Sequence, residues 1–392
     1  MTEQEYWYGG ALPSQDIQSL INEGQVQIGY DRADIGIQPA SLDLSLGSVA
    51  YRLQASFLPQ GNSVRERMED LIMYEINLEK GAILEKGAVY LIPLRERLAL
   101  PNYIKGKTNP KSSIGRLDVF TRVITDYCAR FEDVASNYKG ELFLEVVPRS
   151  FTIKVKTGQR LNQLRLFEIA PQADNSAVIA PYEKRQGIGN SDLTNLYTKE
   201  KLLYGADENF IEAHHRHLSD NGLLMSIDLS SANMDGGPIG FMAKKNSQVI
   251  DLEKIAHYDA EDFWEAIHTP KDGRLILEPE EFYIFASKER IRVPLNCAAE
   301  MVEFDAGSGE LRTHYAGFFD PGFGYGKNGE VKGTKAVLEV RPHDVPFIIE
   351  DGQILFKMKY ERMASEPDIW YGEEIGSNYH NQTLRLSKQF RQ

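Results

Sequence analysis

The sequence predicts a mainly β protein: two tandem antiparallel β-barrel or jelly-roll domains with a few short helices. Three observations predict it. Short runs of alternating apolar and polar residues are bounded by Gly, Pro and Asn turns; the runs repeat along the chain; and a polar, mixed stretch separates the two copies. The boundaries that follow are residues 1–170 and 222–392 for the domains and 171–221 for a linker. A chain of 392 residues also exceeds the size at which a single core usually stops growing.

The repeat is clearest between residues 82–101 (AILEKGAVYLIPLRERLALP) and 275–294 (LILEPEEFYIFASKERIRVP). Leu84, Glu85, Tyr90, Glu96, Arg97 and Pro101 recur as Leu277, Glu278, Tyr283, Glu289, Arg290 and Pro294, all at an offset of 193. A second pair, LEVVPRSFTIKVKTGQ from Leu144 and LEVRPHDVPFIIEDGQ from Leu338, follows in the same order at an offset of 194. A weaker third pair sets Ser41-Leu42-Asp43-Leu44 against Ser226-Ile227-Asp228-Leu229. Preserved order makes duplication the economical explanation.

Helix is sparse. Residues 14–24 (SQDIQSLINEG) have a capping Ser14, Asp16 at the positive end, a stripe of Ile17, Leu20 and Ile21, and a terminating Gly24. Residues 259–269 (DAEDFWEAIHT) form a second candidate, and TKEKLLY in the linker a short third.

Hydrophobic residues make up 42% and charged residues 26%, ordinary globular usage. The net charge of −13 argues against a sequence-independent hold on a nucleic acid polymer, which needs a broadly positive surface, and leaves room for a free anionic nucleotide. No apolar stretch of about 18 residues offers a membrane span, and a cytoplasmic location is expected. Cys128 and Cys297 are the only cysteines, too few for a disulfide framework or a four-thiolate metal site. His214, His215 and His217 lie in a polar stretch that reads as a solvated loop.

The two copies differ where chemistry would sit. The first carries TNPKSSIGRLDVF, which places Lys111, Ser112, Ser113 and Arg116 in one turn, a set of donors suited to phosphate. At the same offset the second copy has EFDAGSGEL, with Asp305, Ala306 and Gly309 facing Ser112, Ser113 and Arg116. The second copy instead carries THYAGFFDPGFGYG, whose Asp320-Pro321-Gly322 makes a tight turn beside Phe319 and Phe323. Its counterpart is VITDYCARFEDVASNYKG, with Asp126 set against Asp320 and Tyr127-Cys128 against Pro321-Gly322. Reciprocal loss of this kind suits one composite site spanning both domains, and drift in two structural domains would look the same.

These segments resemble the dCTP deaminases of the trimeric dUTPase superfamily, in a tandem-duplicated form. The resemblance rests on ALPSQDIQSLINEGQVQIG and GIQPASLDLSLGSVAYRL near the start, PKSSIGRLDV, HYAGFFDPGFG with KAVLEV, and the tail YGEEIGSNYHNQTLRLS. It leaves the linker and roughly residues 230–270 unmatched. It implies two dUTPase-like domains, a homo-oligomer, dCTP as substrate and dTTP as a candidate inhibitor. In the family the site lies between subunits; here a single chain can supply both halves, and the sequence does not choose between one chain and two.

Residue by residue, the resemblance implies Glu339 as general base for water attacking C4 of cytosine. The Ala316 carbonyl would position that water, with Ser112 and Arg116 reaching in from the first domain. Backbone groups around Phe319 would read the base, and Asp320 would accept from the 3′-hydroxyl. Lys111 and Ser113 would hold phosphates, with Tyr371, Tyr379 and Gln382 of the tail closing over them. The His/Cys signature of zinc deaminases is missing, so no zinc is expected, and Mg²⁺ would arrive bound to the triphosphate. Three positions depart from the family pattern: Lys111 in place of Arg, Tyr315 in place of Thr and Asn378 in place of Lys. The alternatives are a dUTPase, a bifunctional deaminase–dUTPase, and a catalytically silent nucleotide-binding regulator.

Overall fold

The structure is a computed structural model that describes residues 9–169, 188, 190–212, 217–219, 222–234, 236–303, 311–313, 317–372 and 383–391. It is mainly β, and each half is built on two larger antiparallel sheets with a small additional one. In the first half one sheet runs Ile72–Asn77, Val49–Leu53, Val89–Ala99, Lys139–Pro148, Val119–Ile124, and the other Asp133–Val134, Ile104–Pro110, Arg160–Glu168, Ser41–Ser45, Gly36–Gln38.

The second half repeats both orders. Trp264–Ile267, Gly240–Ala243, Tyr283–Ile291, Thr334–Pro342 and Leu311–Thr313 form one sheet; Phe318–Phe319, Cys297–Glu303, Ile354–Arg362, Gly222–Ser226 and Leu218–Ser219 form the other. Side chains shared between the copies make the same bonds. The Glu85 amide donates to Tyr90 Oη at 3.0 Å and the Glu278 amide to Tyr283 Oη at 2.9 Å. The Ser45 amide donates to Glu96 Oε2 and the Ser226 amide to Glu289 Oε2, both at 2.9 Å. Both glutamates are buried, and an acceptor for a buried amide is costly to lose, which accounts for these identities.

Those bonds also correct the register of the third repeat pair. Ser45, not Ser41, is the counterpart of Ser226. The neighbours agree: the Leu46 and Ile227 amides donate to the Gln159 and Gln353 carbonyls at 2.9 and 3.0 Å. The SLDL and SIDL strings therefore match by composition, four residues out of structural register, and Asp43 has no acidic equivalent in the second half.

The first helix spans Ser14–Asn22 and buries Ile17, Leu20 and Ile21. Pro13, not Ser14, holds the N-cap position, and Ser14 is the first helical residue. Gly24, at φ 74°, turns the chain away. Residues 259–269 are not helical beyond a 3₁₀ turn at Ala260–Asp262; Trp264–Ile267 pairs with Gly240–Ala243. Trp264 is buried with its ring 5.2 Å from Phe151 and 6.0 Å from Phe390, so cross-sheet aromatic packing overrides the helical pattern. Among the described residues of 171–221 the helix is Asn190–Glu200, which takes in only the first three residues of the candidate TKEKLLY, while Leu203–Tyr204 pairs with Tyr283–Ile291.

The halves share a core. Phe263, Trp264, Phe282, Leu386 and Phe390 of the second half pack with Leu84, Phe151 and Ile153 of the first. Ile250–Asp251 also adds in parallel to Ile153–Val155, extending a first-half sheet. Among the described residues no helix is long and apolar enough to cross a membrane.

Candidate active site

Between the halves lies a cavity of about 440 Å³, within the range of small-molecule sites. On the first-half wall, the strand Ile104–Pro110 ends at a proline and the chain turns into the short helix Ser112–Gly115. The Ile114 and Arg116 amides donate to the Lys111 and Ser112 carbonyls at 2.8 and 3.0 Å. The turn puts Lys111, Ser112, Ser113 and Arg116 on the cavity together. Ser113 and Arg116 are buried, and Lys111 is ion-paired with Asp43.

The opposite wall comes from the second half. Glu339 stands in Thr334–Pro342, a strand buried along its whole length, and it lines the same cavity at 4% exposure. Burial pushes its carboxyl up to about 8; the Arg116 charge opposes that rise and Asp118 adds to it. Ser112 Oγ lies 4.0 Å from where a Cβ on Gly317 would stand, so the first-half turn faces the start of the strand Phe318–Phe319.

Phe319 and Phe323 meet edge to face with ring centroids 4.9 Å apart, and Tyr371 packs on Phe323 at 5.3 Å, giving the cavity an aromatic side. The turn between the two phenylalanines needs Gly322 twice over. Its φ is 96°, and a Cβ there would stand 3.0 Å from the Tyr371 backbone.

Asp320 is held from the far side. Arg165, fully buried in the first-half strand Arg160–Glu168, donates through Nη2 to Asp320 Oδ1 at 3.0 Å and to the Phe319 carbonyl at 3.3 Å. Its Nη1 reaches the Ala299 carbonyl at 3.0 Å and Glu361 at 3.3 Å, its Nε the Ala40 carbonyl at 3.3 Å. All five donors are thus engaged, and the guanidinium lies 4.1 Å above the Phe318 ring. Burial raises the Asp320 carboxyl above its ordinary range, and Arg165 is the main opposing influence.

Two more links cross the halves. Asp118 takes Arg341, two residues beyond Glu339, in a buried ion pair that also receives Ser150 Oγ at 2.6 Å. Lys107 pairs with Glu300 at 2.6 Å. The C-terminal residues then return to the first half: Ser387 Oγ donates to the Ser113 carbonyl at 2.6 Å, and Arg116 Nη1 to the Arg385 carbonyl at 2.9 Å.

The residues singled out in the sequence therefore meet within one chain. Lys111, Ser112, Ser113, Arg116, Phe319, Asp320, Glu339 and Tyr371 all line one cavity. Ala316, Tyr379 and Gln382 lie outside the described residues, as do Tyr315, Asn378 and the segment 305–309 set against the Ser112 turn.

One alignment is corrected. Asp133 and Val134 pair with Lys107 and Gly106, as Phe318 and Phe319 pair with Glu300 and Ala299, the positions 193 residues on. The following turns match too: the Tyr138 amide donates to the Ala135 carbonyl at 3.3 Å and the Phe323 amide to the Asp320 carbonyl at 3.1 Å. Ala135, not Asp126, is the counterpart of Asp320, and Ser136-Asn137 are those of Pro321-Gly322. Asn137, at φ 61°, keeps the left-handed turn that Gly322 makes. The first copy has lost the acid and kept the turn.

The sequence reading missed Asp43, Arg165, Arg160 and Lys388. Arg165 had a signal: in LNQLRLFE the alternating leucines put it on the opposite face of its strand, and that face meets the other half. Lys388 stands one residue past the end of the tail segment that carried the resemblance.

A family model described as the 2′-deoxycytidine 5′-triphosphate deaminase N-terminal domain matches residues 8–170, and the C-terminal domain model of the same family matches 190–390. The chain belongs to the dCTP deaminase family of enzymes. A solved 2′-deoxycytidine 5′-triphosphate deaminase from Agrobacterium tumefaciens is 40% identical with a TM-score of 0.81, covering 94% of this chain and all of that one. A dCTP deaminase of Haloarcula marismortui is 28% identical over 183 residues, 45% of this chain and 87% of its own length. A dUMP-forming dCTP deaminase of Coprothermobacter proteolyticus is 32% identical over 136 residues, 34% of this chain and 68% of its own. The last two relatives each match less than half of this dCTP deaminase family member along most of their own length.

Proposed function

We propose that the chain hydrolyses dCTP to dUTP and ammonia at a single composite site, with Glu339 as general base. The observation that carries the reading is Glu339, buried in a cavity whose facing wall is Ser112 and Arg116. Glu339 takes a proton from a water that attacks C4 of cytosine. It passes that proton to N3, then takes the remaining proton from the hydroxyl on C4 and hands it to the amine as the C4–N bond breaks, so that one water is consumed and one ammonia released. A carboxyl pushed up to about 8 suits both transfers, because a group that must accept and donate works best near the ambient pH. Arg116, fixed to the Arg385 carbonyl, counters negative charge developing on the attacking oxygen, and Ser112 with the Ala316 carbonyl orients the water.

Phe319 and Phe323 offer the base an aromatic wall. Asp320, clamped by Arg165, accepts from the 3′-hydroxyl. Lys111 and Ser113 take phosphates, and Tyr371, Tyr379 and Gln382 cover them. Among the described residues no three His, Cys, Asp or Glu side chains cluster as a metal site, while the Lys111 end of the cavity suits phosphate oxygens, which are themselves good Mg²⁺ ligands. Mg²⁺ carried on the triphosphate fits this arrangement and, when bound, neutralises part of its charge. The proposed water activation uses no zinc.

The two matching sheet orders, and relatives that align with half of this chain, support a tandem duplication. The test is incubation with dCTP and Mg²⁺, following ammonia and nucleotide together. Ammonia with dUTP is expected; ammonia matched by pyrophosphate would assign the dUMP-forming version; pyrophosphate without ammonia, or turnover of dUTP alone, would overturn the reading.

A further inference from the structure

The cavity also gathers cations around Asp43. Lys111, Arg160 and Lys388 all line it, from three separate stretches of chain. Among the described residues the acids beside them are Asp43, engaged by Lys111, and Asp320, held by Arg165. Three cations in one partly buried space repel one another unless an anion joins them. Lys388 registers this: burial, and then the neighbouring Lys111 charge, hold its ammonium below the ordinary lysine value, with Asp43 opposing.

The two residues so far without a role are built in. Arg160 Nε is buried and makes no hydrogen bond among the described residues. Its guanidinium crosses Gly36: a Cβ there would stand 3.0 Å from Arg160 Nε and 2.7 Å from Asp43 Cβ, so a side chain at 36 would displace both. Lys388 lies between two anchors. Ser387 is fully buried and bonded to the Ser113 carbonyl, and Phe390 is buried against Phe263 and Trp264. Gln389 Nε2 adds a bond to the Leu252 carbonyl at 3.3 Å. The ammonium is therefore presented from a packed segment stitched to the Ser112–Arg116 turn.

We propose that Arg160 and Lys388 bind the outer phosphates of the nucleotide and so select a triphosphate over a monophosphate. The inference rests on the nucleotide reading above, and deepens it. Guanidinium and ammonium groups donate the strong, charge-assisted bonds that phosphate oxygens accept. The C-terminal segment of one half thus completes an anion site whose other members belong to the other half.

Isothermal titration of the full-length protein with inorganic tripolyphosphate and, separately, with dCMP tests this. Lys388→Met and Arg160→Met should each weaken tripolyphosphate by about tenfold or more while dCMP binds as to the parent, and Lys388→Arg should restore most of the loss. The two positions lie on different elements, so misfolding of one variant leaves the other informative. Unchanged tripolyphosphate affinity in both variants, or an equal loss for dCMP, would overturn the proposal. If the parent releases no ammonia from dCTP yet binds tripolyphosphate through Lys388 and Arg160, the deaminase reading fails and the anion site stands.

Discussion

Glu145 and Glu339 occupy the same place in matching sheets, and their surroundings are opposite. Glu145 is buried against Arg122, whose Nε donates to it at 3.0 Å and whose guanidinium lies 3.6 Å from the Phe131 ring centroid. Its charge is neutralised inside its own half. Glu339 has a cavity in front of it and a cation from the other half behind its electrostatics, and its carboxyl is pushed up to about 8.

The connections following Leu53 and Ala243 explain much of this contrast. In the first half, residues 54–71 fold back over their own hairpin: the Val64 amide donates to Asp126 at 2.7 Å and the Tyr127 amide to the Asn62 carbonyl at 2.9 Å. In the second half, residues 244–263 reach across to the first and leave the Glu339 face open, with Leu252 lining the cavity. One fold, used twice, thus gives a closed copy and an open one. A glutamate that recurs in a repeat marks a position, and its neighbours decide whether it is structural or chemical.

The sharpest way to break this comparison is to neutralise each glutamate. Glu339→Gln should lower turnover of dCTP by about 10²–10⁴-fold, the usual contribution of a general base, while Glu145→Gln leaves turnover per folded molecule near the parent. Steady-state kinetics on both variants decides it, and equal losses would erase the distinction.

Arg122→Met should act on stability in place of chemistry. It strands a buried carboxylate, and breaking a buried pair from one side costs about 3–5 kcal/mol. Chemical denaturation should show that loss, with activity per folded molecule retained. A variant as stable as the parent would mean that Arg122 does not hold the first copy closed.

A smaller effect reads Glu339 alone, through pH. Glu339 is raised in the folded chain, so between its unfolded value and about 8 the native state binds more protons than the unfolded state. Its contribution to stability is therefore present at low pH and falls as pH rises through that window. Glu339→Gln should remove this decline, so that its melting temperature exceeds the parent's most at pH 8 and the gap narrows toward pH 5. A gap that does not change with pH would contradict the assignment.

The strands and the cavity-lining turns were legible because their signals are local. Alternation, turn residues and the offset of 193–194 are properties of short segments, and the shared Glu85, Tyr90 and Glu96 recur because each makes a buried bond in both halves. The four donors of the Ser112 turn fall within six residues. What was not legible depends on distant partners. Residues 259–269 carry a helical pattern, but Trp264 is claimed by Phe151 and Phe390. Asp126 looked like Asp320 because the first-half hairpin is longer, and only strand pairing shows that Ala135 stands there. Arg165 reads as a surface residue until the second half is docked onto its face.

The central claim is that one site forms within one chain from two unequal halves. Co-expressing Arg116→Met chains with Glu339→Gln chains tests it most directly, because each lacks a different wall of the cavity. A site closed within the chain predicts that the purified mixture deaminates dCTP no faster than the variants alone. Recovery of a substantial part of the parent rate would mean that the Arg116 wall of one chain meets the Glu339 wall of another, and would contradict the account.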